Sequence, residues 1–189
     1  MKIVVLPIGI RGSGKTTYIE KVAKKNPDVT VFSKDEIVRK KYGRTIFNFQ
    51  NPGDKSLGGE SAHFIREFIR LYLASSAENM QIILDMSIET REYRATFVKE
   101  CRSLGVDSVV CWYFTTPYNQ CIEWFGKKPE KDRIGVGIVD LHMEYNALKL
   151  RSTDIDYPES PLYFGLNPVG FNLIRRIDPS DPNQEICFP

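Results

Sequence analysis

At 189 residues and 21.7 kDa, the chain is sized for one domain whose core needs neither disulfides nor a structural metal. Its 42% hydrophobic and 26% charged residues are those of an ordinary globular protein and exclude a disordered, collagen-like or coiled-coil chain. Lysine and arginine total 26 against 24 acidic residues, so the net charge of +2 lacks the basic excess of a dedicated electrostatic nucleic-acid binder.

In chain order, Lys2 to Ile8 is a β-branched run ending at glycines and reads as a buried strand. Lys15 to Lys25 follows with helical spacing, Tyr18, Ile19 and Val22 forming one stripe, and stops before Asn26-Pro27. Val29 to Phe32 is a second strand, Lys34 to Tyr42 a short charged helix ended by Gly43, and Arg44 to Gly59 a loop. The clearest helix is Glu60 to Ala77, with Ile65, Phe68, Ile69 and Tyr72 on one face. Gln81 to Asp85 is a third strand, Glu89 to Leu104 a helix closed by Gly105, and Asp107 to Phe114 a fourth strand whose Trp112, Tyr113 and Phe114 read as core. Helices at Tyr118 to Phe125 and Val136 to Leu150 flank a basic stretch, a loop covers Ser152 to Gly170, and Phe171 to Ile177 is the last strand. Strands alternating with helices predict a parallel sheet of about five strands covered on both faces.

The longest nearly apolar run, Ile3 to Ile10, falls far short of the roughly 20 residues of a membrane span. No basic stretch followed by a long apolar one opens the chain, so neither a signal peptide nor a membrane partner is expected, and the cytoplasm is the expected location. Cys101, Cys111, Cys121 and Cys187 are too widely spaced for a CxxC pair and show no metal spacing with the histidines. They are expected to be buried or half-buried thiols of a reducing compartment, with no disulfide-linked partner. His63 and His142 lie on predicted helices without a partner pattern and read as solvated, while Phe47 and Phe49 sit in a loop where a base could stack.

Gly9-Ile-Arg-Gly-Ser-Gly-Lys15-Thr16 satisfies G-x-x-x-x-G-K-[ST] after a predicted strand and at the start of a predicted helix. The glycines let successive backbone N–H groups turn inward at phosphate oxygens, and the helix adds its positive end. Gly12, Ser13, Gly14, Lys15, Thr16 and Thr17 are therefore the candidate cradle for ATP, with Lys15 on the β- and γ-phosphates and the Thr16 hydroxyl on Mg2+. Asp85 ends an apolar strand and is a candidate second magnesium residue. Asp35, just after the second strand, is the candidate base for an acceptor hydroxyl, and Arg39, one turn on, for an acceptor phosphate; an ordinary capped, charged helix start would look the same. Lys127, Lys128, Lys131 and Arg133 place four cations between two helices, where a closing lid at about 126–135 would bring charge to a transferring group; Arg133 is favoured for its fixed fork.

With these residues placed, the chain resembles the P-loop kinase family that includes the kinase domain of phage polynucleotide 5′-hydroxyl kinase. The resemblance runs through Gly9 to Thr16, Ser33-x-Asp35 with Arg39 and Gly43, Ile83-Leu-Asp85-Met-Ser with Arg91, Arg94 and Phe97, and Thr115-Thr-Pro117 with Cys121-Ile-Glu123. It continues through Arg133, Val136, Val139 and Met143 to Pro168-Val-Gly-Phe-Asn172 with Ile174 and Ile177. It implies a three-layer αβα P-loop nucleoside triphosphate hydrolase fold formed by a single domain over residues 1–189. It also implies an ATP- and Mg2+-dependent phosphotransferase in which Lys15, Asp35 and Arg133 are catalytic, Thr16 and Asp85 hold magnesium, and Asp35, Arg39 and Arg91 meet the acceptor. Trp124-Phe125 stands where the family has Arg-Asn, and the phosphatase motif Asp-x-Asp-Gly-Thr of the bifunctional phage enzyme does not occur.

The acceptor expected from this resemblance is a polynucleotide 5′-hydroxyl end. The same residues also suit a kinase for a nucleoside, sugar or other metabolite, a nucleoside monophosphate kinase, or an ATP-binding regulatory protein without transfer activity. Within the balanced total, Arg39, Lys40, Lys41 and Arg44 form one basic cluster and Lys127 to Arg133 another. That is enough cation for ATP and a strand end, not for a long nucleic-acid track.

Overall fold

A computed structural model describes residues 1–43, 52–75, 79–86, 91–129, 138–151 and 170–189. Strands β1 (Lys2–Ile8), β2 (Val29–Ser33), β3 (Met80–Asp85), β4 (Ser108–Phe114) and β5 (Leu173–Ile177) form one sheet of order β2-β3-β1-β4-β5. Every pairing is parallel, with Val5 opposite both Ile83 of β3 and Val110 of β4. The helices are α1 (Lys15–Lys25), α2 (Lys34–Tyr42), α3 (Pro52–Ser75), α4 (Arg91–Ser103), α5 (Tyr118–Gly126) and α6 (Ile138–Arg151).

Period-two alternation in the strands sorts the core into two layers. Val4 and Leu6 pack with Ile82, Leu84, Val109, Cys111 and Tyr113 against α3 and α4, through Ile65, Ile69, Leu73, Phe97, Val98 and Cys101. Ile3 and Val5 pack with Ile83, Val110, Trp112, Phe114 and Ile177 against Tyr18, Ile19 and Val22 of α1. The expected αβα sandwich is therefore the observed fold. A proline inside a central strand is uncommon because it withdraws a ladder donor. Pro7 is tolerated where pairing of β1 with β3 has already ended at Val5, leaving only Trp112 of β4 opposite it.

The expected strands and helices are present, with ends shifted by a residue or two at most places. The difference is at α3, which begins at Pro52, so residues 52–59 are helical rather than part of the expected loop. Proline suits a first helical turn, where its missing N–H is not needed, and the later glycines lower helix propensity without forbidding it. Phe47, Phe49, Arg133, Val136 and the loop expected at 152–169 lie outside the described residues. Among the described residues no helix is long and apolar enough to cross a membrane. Cys101, Cys111 and Cys121 are buried and Cys187 is half-buried, all as free thiols. Burial pushes the thiols of Cys101 and Cys111 up to about 12.

The chain end closes the α1 face. Tyr18 Oη donates to the Glu185 carbonyl at 2.8 Å, the Arg175 guanidinium reaches Cys187 Sγ at 2.7 Å, and Phe188 packs edge-on against Trp112.

Connections from β1 and β3 leave the sheet toward opposite faces, α1 to one and α4 to the other, and this divergence opens a crevice at the carboxyl edge. The loop after β1 is seated there on α5. A Cβ placed on Gly12, whose φ is +77°, would stand 2.3 Å from the Cys121 carbonyl oxygen. Gly43 has φ +73° but open space around it. Gly12→Ala is therefore expected to cost roughly 2–4 kcal/mol, from backbone strain plus a clash that α5 cannot relieve. Gly43→Ala should cost about 1 kcal/mol from strain alone. Chemical denaturation midpoints of the two variants test this, and equal losses would count against the packing account.

Candidate active site

The site begins with a helix end left open. Gly14, in the left-handed region at φ 84°, precedes α1, no side chain caps the helix, and its first turn carries no acidic residue. The free N–H groups and the positive helix end thus face the crevice without an internal anion from α1 itself. The loop's shape is set from below: Thr116 Oγ1 donates to the Ser13 carbonyl at 2.8 Å, and Cys121 Sγ approaches the Thr116 carbonyl at 3.5 Å. Ser13 and Gly12 are buried, Gly14 and Lys15 half-buried, and Thr16 and Thr17 exposed.

Lys15 folds back across the loop. Its ammonium donates to the carbonyls of Gly9 at 2.7 Å and Ile10 at 2.8 Å, and reaches Ser13 Oγ at 3.4 Å. Enclosure of this ammonium lowers its pKa to about 8, against the opposing pull of Asp85 and Glu144. A cation held by neutral carbonyls is ready to exchange them for anionic oxygens.

Asp85 stands at the end of β3, and Ser33 of β2 is its register partner. Thr16 Oγ1 donates to Asp85 Oδ2 at 3.2 Å, joining the start of α1 to the end of β3. Partial burial raises the Asp85 carboxyl above its usual value and the Asp35 charge adds to this, while Lys15 and the Thr16 hydroxyl work against it. Bound Mg2+ would favour the carboxylate. Two hard oxygen donors this close suit Mg2+, which keeps waters and phosphate oxygens in its shell instead of an all-protein cage. Among the described residues no group of three or more His, Cys, Asp or Glu side chains is placed to hold a metal ion.

Asp35 is the second residue of α2, directly beyond β2. Ser33 caps that helix by accepting from the Glu36 amide at 3.4 Å, and Asp35 supplies negative charge to its first turn. Asp35 and Arg39 are both exposed and, four residues apart in one helix, lie on one face of α2. Arg91 opens α4, but its side chain lies outside the described residues, as does all of Arg133. Of the basic stretch, Lys127 is paired with Glu123, and Lys128 stands close enough for its charge to act on both Lys15 and Asp85. His142, expected to be only solvated, shares a hydrogen bond with Tyr118 Oη at 3.0 Å.

Several residues at the site gave little sequence signal. Trp124 and Pro179 both approach Gly14, each with atoms 3.1 Å from where its Cβ would stand. Glu144 of α6 grips Arg11 inside the loop, with Oε1 2.9 Å from Nε and Oε2 accepting from the backbone amide at 3.1 Å. Thr116 was visible only as part of Thr115-Thr-Pro117, without its role. Pro179 and Glu144 arrive through the paths of the chain end and α6, which no local pattern encodes.

Three comparisons bear on this arrangement. A family profile described as an AAA domain matches residues 4–139. No curated protein sequence matches the chain. Among solved structures, shikimate kinase from Acinetobacter baumannii in complex with shikimate superposes with a TM-score of 0.53 at 16% identity, covering 98% of this chain and 86% of that one. Shikimate kinase from Bacteroides thetaiotaomicron gives 0.54 at 14% identity, covering 96% and 91%. At such identities the likeness concerns the fold. The polynucleotide kinase resemblance narrows accordingly: the chain has the P-loop kinase fold and belongs to the AAA domain family.

Proposed function

We propose that the chain is an ATP- and Mg2+-dependent kinase that transfers the γ-phosphoryl group of ATP to a hydroxyl of a small polyhydroxylated molecule. The observation that carries this reading is the meeting, beyond three neighbouring strands, of Lys15 after β1, Asp85 with Thr16 at the end of β3, and Asp35 after β2. The structural likeness to two shikimate kinases, one solved with its hydroxylated ligand, supports a small acceptor.

In this reading the loop amides from Gly12 to Thr17 hold the phosphates, and Lys15 leaves the carbonyls of Gly9 and Ile10 for the β- and γ-oxygens. Thr16 and Asp85 would hold Mg2+, which supplies charge neutralisation at the phosphates. Asp35 accepts the proton of the acceptor hydroxyl as its oxygen bonds to the γ-phosphorus; the bond from γ-phosphorus to the β–γ bridging oxygen breaks, and ADP leaves. Its exposure lets that proton pass on to water. Arg39 and Arg91 orient the acceptor, and Arg133 and Lys128 add positive charge beside the transferring group.

A second reading takes a polynucleotide 5′-hydroxyl as acceptor, and what favours it is the basic last turn of α2, formed by Arg39, Lys40 and Lys41 just beyond Asp35. Transfer of label from γ-labelled ATP to a panel of sugars, cyclitols, nucleosides, hydroxy acids and 5′-hydroxyl oligonucleotides separates the two. Label on a small molecule is the expected result. Label on oligonucleotides alone would establish the second reading, and ATP binding with no labelled acceptor would point to a nucleotide-controlled regulator.

Asp35→Asn should lower kcat by about 10²- to 10⁴-fold while ATP affinity stays within about twofold. A phosphate acceptor, already ionised at neutral pH, needs no base, so a loss below tenfold would indicate that acceptor class instead.

The lowered pKa of Lys15 also sets a pH dependence. With the free ammonium titrating at about 8, the protein binds ATP in its charged form below that pH and must regain a proton above it. ATP affinity measured by calorimetry should be lower than at pH 7 by about twofold at pH 8 and by about tenfold at pH 9, while Lys15→Met binds weakly with no such decline. A wild-type profile flat to pH 9.5 would mean that the ammonium is not enclosed as described.

A further inference from the structure

Arg11 is the one cationic residue inside the phosphate-binding loop before Lys15, and both oxygens of one carboxylate are on it. Glu144 Oε1 lies 2.9 Å from Arg11 Nε, and Glu144 Oε2 accepts from the Arg11 backbone amide at 3.1 Å. A main-chain amide and a guanidinium converging on two oxygens of one planar anion is the grip by which phosphate oxygens are also held. The partner comes from α6, 133 residues further along the chain, so the contact is not a local helix pair.

The contact is also easy to exchange. The Arg11 and Glu144 side chains keep 47% and 30% exposure, and ion pairs this open contribute little to stability. Residue 11 follows directly on Gly9 and Ile10, whose carbonyls hold the Lys15 ammonium, and the Glu144 charge acts on that same ammonium. The carboxylate thus stands on the candidate phosphate-binding loop itself. A terminal phosphate brings more charge and more acceptor oxygens to Arg11 than a carboxylate does.

We propose that the amide and guanidinium of Arg11 form a site for the terminal phosphate of a bound nucleoside triphosphate, and that Glu144 fills this site when no nucleotide is present, as an internal competitor. The inference rests on the nucleotide-binding reading above and adds to it a regulator of the same loop. Exchange moves no covalent bond: the Glu144 carboxylate leaves Arg11 and the phosphate oxygens take its two contacts. Because ADP lacks the terminal phosphate, the competition should separate the two nucleotides.

The test is calorimetric titration of the full chain with Mg·ATP and with Mg·ADP, for the wild type, Glu144→Gln, Arg11→Met and the double variant. Glu144→Gln should tighten ATP binding by about three- to tenfold and change ADP binding by less than about twofold. Arg11→Met should weaken ATP by about tenfold and spare ADP. In the double variant the Glu144 effect should shrink to about twofold or less, because the guanidinium is gone and only the backbone amide of residue 11 remains to hold the carboxylate. If Glu144→Gln weakens ATP, leaves it unchanged, or shifts ATP and ADP alike, Glu144 is a brace and the proposal is wrong. Thermal melts of each variant identify any loss caused by misfolding, and a Glu144→Asp variant that restores wild-type discrimination would confirm that the carboxylate is responsible. Binding of neither nucleotide by the wild type removes the nucleotide reading itself, whereas normal ADP binding with an unaltered ATP preference removes only this inference.

Discussion

The carboxyl edge of the sheet is organised around one constraint: an ammonium must sit inside a loop of carbonyls without a carboxylate touching it. Lys15 achieves this with the Gly9 and Ile10 oxygens, offered by the loop after β1. That loop is propped from beneath by Thr116, between β4 and α5, which bonds the Ser13 carbonyl, and by α5, whose Cys121 carbonyl comes so close to Gly12 that no side chain fits. The order β2-β3-β1-β4-β5 then follows as a requirement of placement. It sets Asp85 on one neighbour of β1 and Thr116, just past β4, beyond the other, so that a carboxylate faces the lysine from one side and the support rises from the other.

Much of the fold was legible because its signals are local and periodic. β1 is apolar at every position from Ile3 to Leu6, as expected of a strand covered on both faces, and Tyr18, Ile19 and Val22 mark the buried stripe of α1. The phosphate-loop spacing marked the strand–loop–helix unit at β1 and α1, and the structure places β1 at the centre of the sheet, between β3 and β4. Legibility failed where a weak local preference was overruled, as at Gly53, Gly58 and Gly59 of α3, which read as loop and are helical.

The site was legible on its phosphate side and less so elsewhere. Lys15, Thr16 and Asp85 are tied by strand ends that the sequence already located, so their convergence follows from topology. Arg11 with Glu144, and Gly14 with Trp124 and Pro179, are contacts between segments more than a hundred residues apart, and each residue alone is unremarkable for its element. The paths of α5 and α6 and the return of the chain end bring them in. The departure at Trp124-Phe125 was visible as a substitution, but its consequence was not. Phe125 is buried beside Gly12, and Trp124 lies over Gly14, so both positions pack onto the loop in place of the expected arginine and asparagine.

This packing shifts where positive charge can come from. With an indole at position 124, α5 itself brings no arginine to the loop, and its last turn contains no basic residue. Among the described residues, the further cations whose charge reaches the Asp85–Lys15 centre or stands in the loop are Lys128, beyond the end of α5, and Arg11, within the loop. Of the described cations near the crevice, Lys127 is paired with Glu123 and Arg11 with Glu144. The net charge of +2 sums the whole chain and so does not describe the crevice, where Lys15 is held by carbonyls while Arg11 and Lys127 each meet a carboxylate.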